Sequence, residues 1–150
     1  MATVSQTLAA WIAEAEVPPA QREKSTLRVL DTIGLVAAAL NTPQAEAVTD
    51  FAAAQGGQAE AGLVGGRRLP AALAALVQGT LAHSFDYDDT FADSVVHPGS
   101  VVVPSALAVA EAASADRGAV LDAVAIGYEV AARLGAVAGR GLHARGFHAS

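Results

Sequence analysis

The chain has 150 residues, of which 53% are hydrophobic and 16% charged, enough apolar material for one packed domain and too much for a disordered chain. Its 37 alanines against seven aromatic residues favour closely packed helices over strands, so an all-α fold is expected. A formal charge of −6 repels a phosphate backbone and argues against nucleic acid as the main partner, and the absence of cysteine excludes disulfides, thiolate zinc sites and iron–sulfur clusters.

The first segment places Val4, Leu8, Trp11, Ile12 and Ala15 at helical spacing, and Pro18-Pro19 stops it. It has no basic start and carries Glu14 and Glu16 where a secretory signal is apolar, and no stretch reaches the ~20 apolar residues of a membrane span. A cytoplasmic protein without membrane contact is expected. From about 21 to 40 the apolar positions Leu27, Leu30, Ile33, Val36, Ala37 and Leu40 predict a long, mostly buried helix, with Gly34 at a close helix–helix contact. Thr42-Pro43 is a hydroxyl cap followed by proline in the first turn, and Gly56-Gly57 ends the helix it opens. The Gly-bounded stretch 61–70 predicts a brief extended piece or a loop. Pro70 begins an alanine-rich helix that runs into the acidic cluster DYDDT at 86–90. After a loop, Pro104 fits the first turn of another helix, with the valines at 101–103 leading into it. A last helix from about Arg117 puts Val120, Val124, Tyr128, Ala131 and Leu134 on one face, and Gly139, Gly141 and Gly146 break up the C-terminal stretch.

Asp86, Asp88 and Asp89 lie within four residues. On a helical path Asp86, Asp89 and Thr90 share a face and Asp88 points elsewhere. Carboxylates at a helix C-terminus face the negative end of the dipole, so the cluster needs a compensating proton, cation or donor. DYDDT also fits the D-x-D-x-T nucleophile motif of haloacid-dehalogenase-like phosphatases, but that motif follows a buried strand and this one follows a helical run. It fits D-x-D-D of some terpene cyclases as well, with too few aromatic residues to line a carbocation pocket. His97 sits in HPG, where proline and glycine fix an irregular backbone that can aim an imidazole back at the aspartates. His148 beside Phe147 has the same profile, whereas His83 and His143 read as packing or surface histidines. Asp86, Asp89 and His97 are conceivable metal ligands, although their spacing matches no ligand motif. No metal and no cofactor is expected.

The run LPAALAALVQGTLAHSFDYDDTFADSVVHPGSVVVPSALAVAEAA, with LRVLDTIG before it and GYEVAARLG and GFH after it, resembles the MmgE/PrpD family, which includes 2-methylcitrate dehydratase, cis-aconitate decarboxylase and iminodisuccinate epimerase. The resemblance implies an all-helical domain and a cofactor-independent lyase or isomerase that transfers a proton next to a carboxylate of a small di- or tricarboxylate. It implies His97 and Asp86 as catalytic residues and Thr90 and His148 as substrate-binding residues. It further implies that residues 1–150 form the N-terminal part of the family's helical domain, in a longer protein whose further helices and second, smaller domain supply more lysine and histidine site residues. A homo-oligomer, or assembly with a complementary chain, is expected; in the alternative function the chain is a non-catalytic helical subunit.

Overall fold

The computed structural model describes residues 2–141 and 143–147, apart from the side chains of Arg140 and His143. The order of elements is α1 (Val4–Glu14), α2 (Pro19–Ala39), α3 (Pro43–Ala54), β1 (Ala61–Gly62), β2 (Arg68–Leu69), α4 (Ala71–His83), α5 (Pro98–Ala113) and α6 (Arg117–Ala138). Two short 3-10 turns, Gly139–Gly141 and His143–Arg145, come last. The fold is all-α, of the kind the alanine count favours. The extended piece between α3 and α4 is a minimal antiparallel pair, Ala61 opposite Leu69 and Gly62 opposite Arg68.

Local chemistry explains several boundaries. The Thr42 hydroxyl accepts from the Ala45 amide at 3.2 Å with Pro43 next in the chain, and the Asp116 carboxylate caps α6 by accepting from the Ala119 amide at 2.9 Å. The main core joins Val36 and Ala39 of α2, Ala45 and Ala52 of α3, Leu69, the inner face of α4 and Ala108 of α5; a second cluster joins Val103, Val124 and Tyr128. Small side chains make this core, so helix backbones approach closely.

Among the described residues the most extensive helix–helix contact is between α4 and α5. A Cβ on Gly79 would lie 2.7 Å from the Ser100 carbonyl oxygen. Helix α5 begins at Pro98 and not, as expected, near Pro104, which lies inside it. An interior proline has no amide proton for the carbonyl four residues back and crowds it. Here that carbonyl is Ser100's, and it faces the bare side of Gly79. The two sequence features that break a helix thus meet at one contact, which lets α5 continue through its proline.

Helix α2 is not mostly buried. Ser25, Thr32, Val36 and Ala39 form its inward stripe, while Leu27 and Leu30 are 64% and 62% exposed. Thr32 can face inward because its hydroxyl donates to the Arg28 carbonyl at 2.9 Å. Gly34 makes no close contact with another described element. On α6 the inward face passes through Val124, Tyr128 and Gly135, leaving Leu134 exposed. No helix among the described residues is long and apolar enough to cross a membrane.

Candidate active site

The tight α4–α5 contact brings His83, the last residue of α4, beside His97, the residue that precedes α5. Their rings meet edge to face with centroids 5.0 Å apart. The acidic cluster between them is not helical, contrary to the helical-path expectation. Helix α4 stops at His83, and Asp86 takes a left-handed backbone, φ 54°, that turns the chain back on itself. This reversal distributes the aspartates differently from a helical wheel.

Asp88 goes inward: its side chain is only 2% exposed, and its carboxylate oxygens lie 2.9 and 3.1 Å from His83 Nδ1. An ionised carboxylate accepts only, so His83 donates here. The Asp88 oxygen nearer to His83 is also 3.4 Å from Nδ1 of His97, which is buried rather than displayed on a loop. Thr90 Oγ1 lies 3.4 Å from that same nitrogen. His97 Nε2 is turned toward Asp86 Oδ1, 3.9 Å away, and the Asp86 side chain is 71% exposed. His97 therefore has the buried Asp88 carboxylate and the exposed Thr90 hydroxyl at one ring nitrogen and the exposed Asp86 carboxylate near the other.

Asp89 leaves this group. Its Oδ1 accepts from the Gly99 amide at 2.9 Å, capping the first turn of α5, where the helix dipole favours an anion. The Tyr128 hydroxyl donates to Asp89 as well, and burial, then this carboxylate, push the phenol well above its ordinary value. A Cβ on Gly99 would lie 2.6 Å from that Asp89 oxygen and 2.9 Å from the Tyr128 hydroxyl, so the glycine of HPG is required by the cap. The Arg28 guanidinium carbon sits 3.9 Å over the Tyr128 ring.

The trio Asp86, Asp89 and His97, conceivable as metal ligands from the sequence, is not brought together. The side chains that could gather around an ion are His83, Asp86, Asp88 and His97, with ligand atoms within 4.8 Å of one another; Asp89 is occupied as a cap. Imidazole and carboxylate donors at this spacing suit a borderline divalent ion, but the buried members are already paired with each other.

Two clefts flank the cluster. One, of about 530 Å³, is bordered by Trp11, Arg28, Thr90, Pro98 and Tyr128; the other, of about 650 Å³, by His83, Ser84 and Ser100. Of the site residues predicted from sequence, Asp86, Thr90 and His97 come together, while His148 lies outside the described residues, as does the side chain of His143. Sequence reasoning missed Asp88 and His83. The signal that could have found them was a basic residue in the last turn of a helix, where the dipole favours it, five residues before an aspartate. The phosphatase motif fails because DYDDT follows a helix and no strand precedes it between Pro70 and Asp86.

These observations define an all-helical domain with an imidazole–carboxylate cluster at a helix junction. The chain belongs to the MmgE/PrpD family: residues 6–150 match the family's N-terminal domain. No curated protein matches the chain.

Proposed function

We propose that the chain provides the acid–base centre of a cofactor-independent lyase or isomerase that moves a proton at a carbon next to a carboxylate of a small di- or tricarboxylate. The observation that carries this reading is His97: buried, with Nδ1 against Asp88 and Thr90 and Nε2 turned toward the exposed Asp86. With Nδ1 engaged, Nε2 is the atom that exchanges a proton with substrate.

When Nε2 takes the proton, the C–H electron pair passes into the neighbouring carboxylate as an enediolate, and Asp88 stabilises the imidazolium. In dehydration the pair then returns to expel a β-hydroxyl, which leaves as water on taking a proton. In epimerisation a second acid returns a proton to the opposite face. Decarboxylation runs in the other sense: the C–C bond breaks, carbon dioxide leaves, and protonated His97 gives its Nε2 proton to the carbon. Asp86 orients His97 or a substrate hydroxyl, Thr90 offers a neutral donor, and Arg28, with His148 when it is protonated, supplies positive charge for substrate carboxylates in a chain of net charge −6.

The test is deuterium incorporation from solvent into 2-methylcitrate, cis-aconitate and iminodisuccinate, with the chain alone and with complementary polypeptides, after exhaustive dialysis against a chelator. His97→Ala lowers exchange by ~10²-fold or more with helical content unchanged, whereas His143→Ala leaves it near normal. Near-normal exchange in His97→Ala sinks this role.

The exposed stripe of α2, with Leu27 at 64% and Leu30 at 62%, favours a second reading, a non-catalytic helical subunit that a partner chain covers. Binding of such a partner with no exchange activity in the complex would support it.

A further inference from the structure

We infer that His83 is a positioning residue: by holding the Asp88 carboxylate it fixes His97 as the Nδ1–H tautomer. This inference rests on the acid–base reading of His97, but its consequence for the tautomer is measurable without any substrate.

A carboxylate as buried as Asp88 needs donors, because an unpaired charge there costs several kcal/mol. His83 is the nearer donor, with Nδ1 2.9 and 3.1 Å from the two oxygens, so it restrains rotation of the carboxylate as well as its position. The oxygen at 2.9 Å is the one that faces His97 Nδ1 at 3.4 Å. If His97 were its only anchor, the carboxylate could turn about its Cβ–Cγ bond and release Nδ1. Nδ1 of His97 faces both this carboxylate and the Thr90 hydroxyl, each at 3.4 Å. The hydroxyl suits either tautomer, whereas an ionised carboxylate only accepts and requires a proton on Nδ1, so the anchor of Asp88 decides what Nε2 of His97 presents.

The anchor is rigid because of the helices. His83 closes α4 and His97 precedes α5, and these two helices share the most extensive contact among the described residues. At Gly79 the α4 backbone comes close to the Ser100 carbonyl, and the edge-to-face ring contact links the ends of the two helices. A favourable interaction of His83 with the helix dipole would be met by any cation; it does not account for a nitrogen aimed at both oxygens of a buried aspartate.

The experiment is long-range 15N–1H correlation of the histidine rings in the full chain, combined with the exchange assay. Wild-type His97 shows a protonated Nδ1 and an unprotonated Nε2. His83→Leu keeps ring-sized apolar volume but removes the donor: His97 shifts to a mixture of tautomers, and kcat falls roughly 10- to 100-fold with KM little changed. His83→Asn places an amide N–H near the position of Nδ1 and restores both readouts; His83→Gln carries its amide one bond further and does not. The Asn–Gln comparison decides the matter if the leucine variant does not fold. An Nε2–H tautomer in the wild type, an unchanged tautomer in His83→Leu, or equal behaviour of the Asn and Gln variants overturns the inference. If no substrate exchanges in any assembly while the tautomer responds as stated, the acid–base reading fails and the positioning role of His83 stands.

Discussion

Three aspartates that look equivalent in DYDDT are given three environments, and the difference is set by the backbone. Asp88 is buried among imidazoles, Asp89 caps α5, and Asp86 remains at the surface. The sequence supported the pairing of Asp86, Thr90 and His97, but it could not assign Asp88 and Asp89 while the segment was read as helical, because the left-handed Asp86 rotates everything after it. Tyr128 gives a prediction at the same scale. Burial and Asp89 hold its phenol above the ordinary value, so above about pH 10 the unfolded chain releases a proton that the folded chain keeps. The stability this contributes is complete below that pH and lost as pH rises. Urea unfolding between pH 8 and 11 is expected to show a steep alkaline decline that is shallower in Tyr128→Phe; equal slopes would show that the phenol is not responsible.

Helix existence was legible in the sequence wherever a cap was local, as at Thr42-Pro43. Helix faces were less so. In α2 two stripes compete, and the leucines lose to Ser25, Thr32, Val36 and Ala39 because small residues let α4 and α6 come near, a preference that exists only once those partners are in place. The start of α5 was hidden for a related reason: a proline inside a helix is tolerated when another element accommodates the carbonyl it crowds, and Gly79 is distant in sequence. Gly79→Ala tests this contact. A Cβ 2.7 Å from backbone oxygen forces α4 and α5 apart, so despite alanine's higher helix propensity the variant is expected to lose about 1 to 3 kcal/mol in denaturant unfolding. A neutral or stabilising result would mean that the helices part without cost.

Across the whole molecule, apolar side chains remain at the surface on several helices: Leu27 and Leu30 on α2, Val109 on α5, Leu134 and Val137 on α6, each more than half exposed. Scattered surface residues of this kind are ordinary, but a contiguous stripe on α2 is not. Self-association is therefore expected, with sedimentation coefficients rising across a concentration series and Leu27→Lys with Leu30→Glu reducing the rise. A monomer of constant size that binds no hydrophobic dye would exclude this. The helical class was readable from composition and periodicity, and the family from the resemblance of its ordered motifs; the surface that stays open was not, because periodicity reports that a face is apolar and not what covers it.

The backbone reversal at Asp86 also sets a conflict between durability and turnover. Left-handed backbone suits glycine and is tolerated by aspartate and asparagine, so position 86 accepts few side chains, and of these only aspartate carries a charge. Because the side chain is largely in solvent, Asp86→Gly gives up little packing and is expected to gain about 0.5 to 1 kcal/mol of stability, while slowing exchange by removing the carboxylate nearest His97 Nε2. Asp86→Asn separates the effects, since it keeps the backbone preference and removes only the charge. Selection for heat resistance alone would then drive this position to glycine, and its retention as aspartate under combined selection for stability and activity would mark it as held for chemistry.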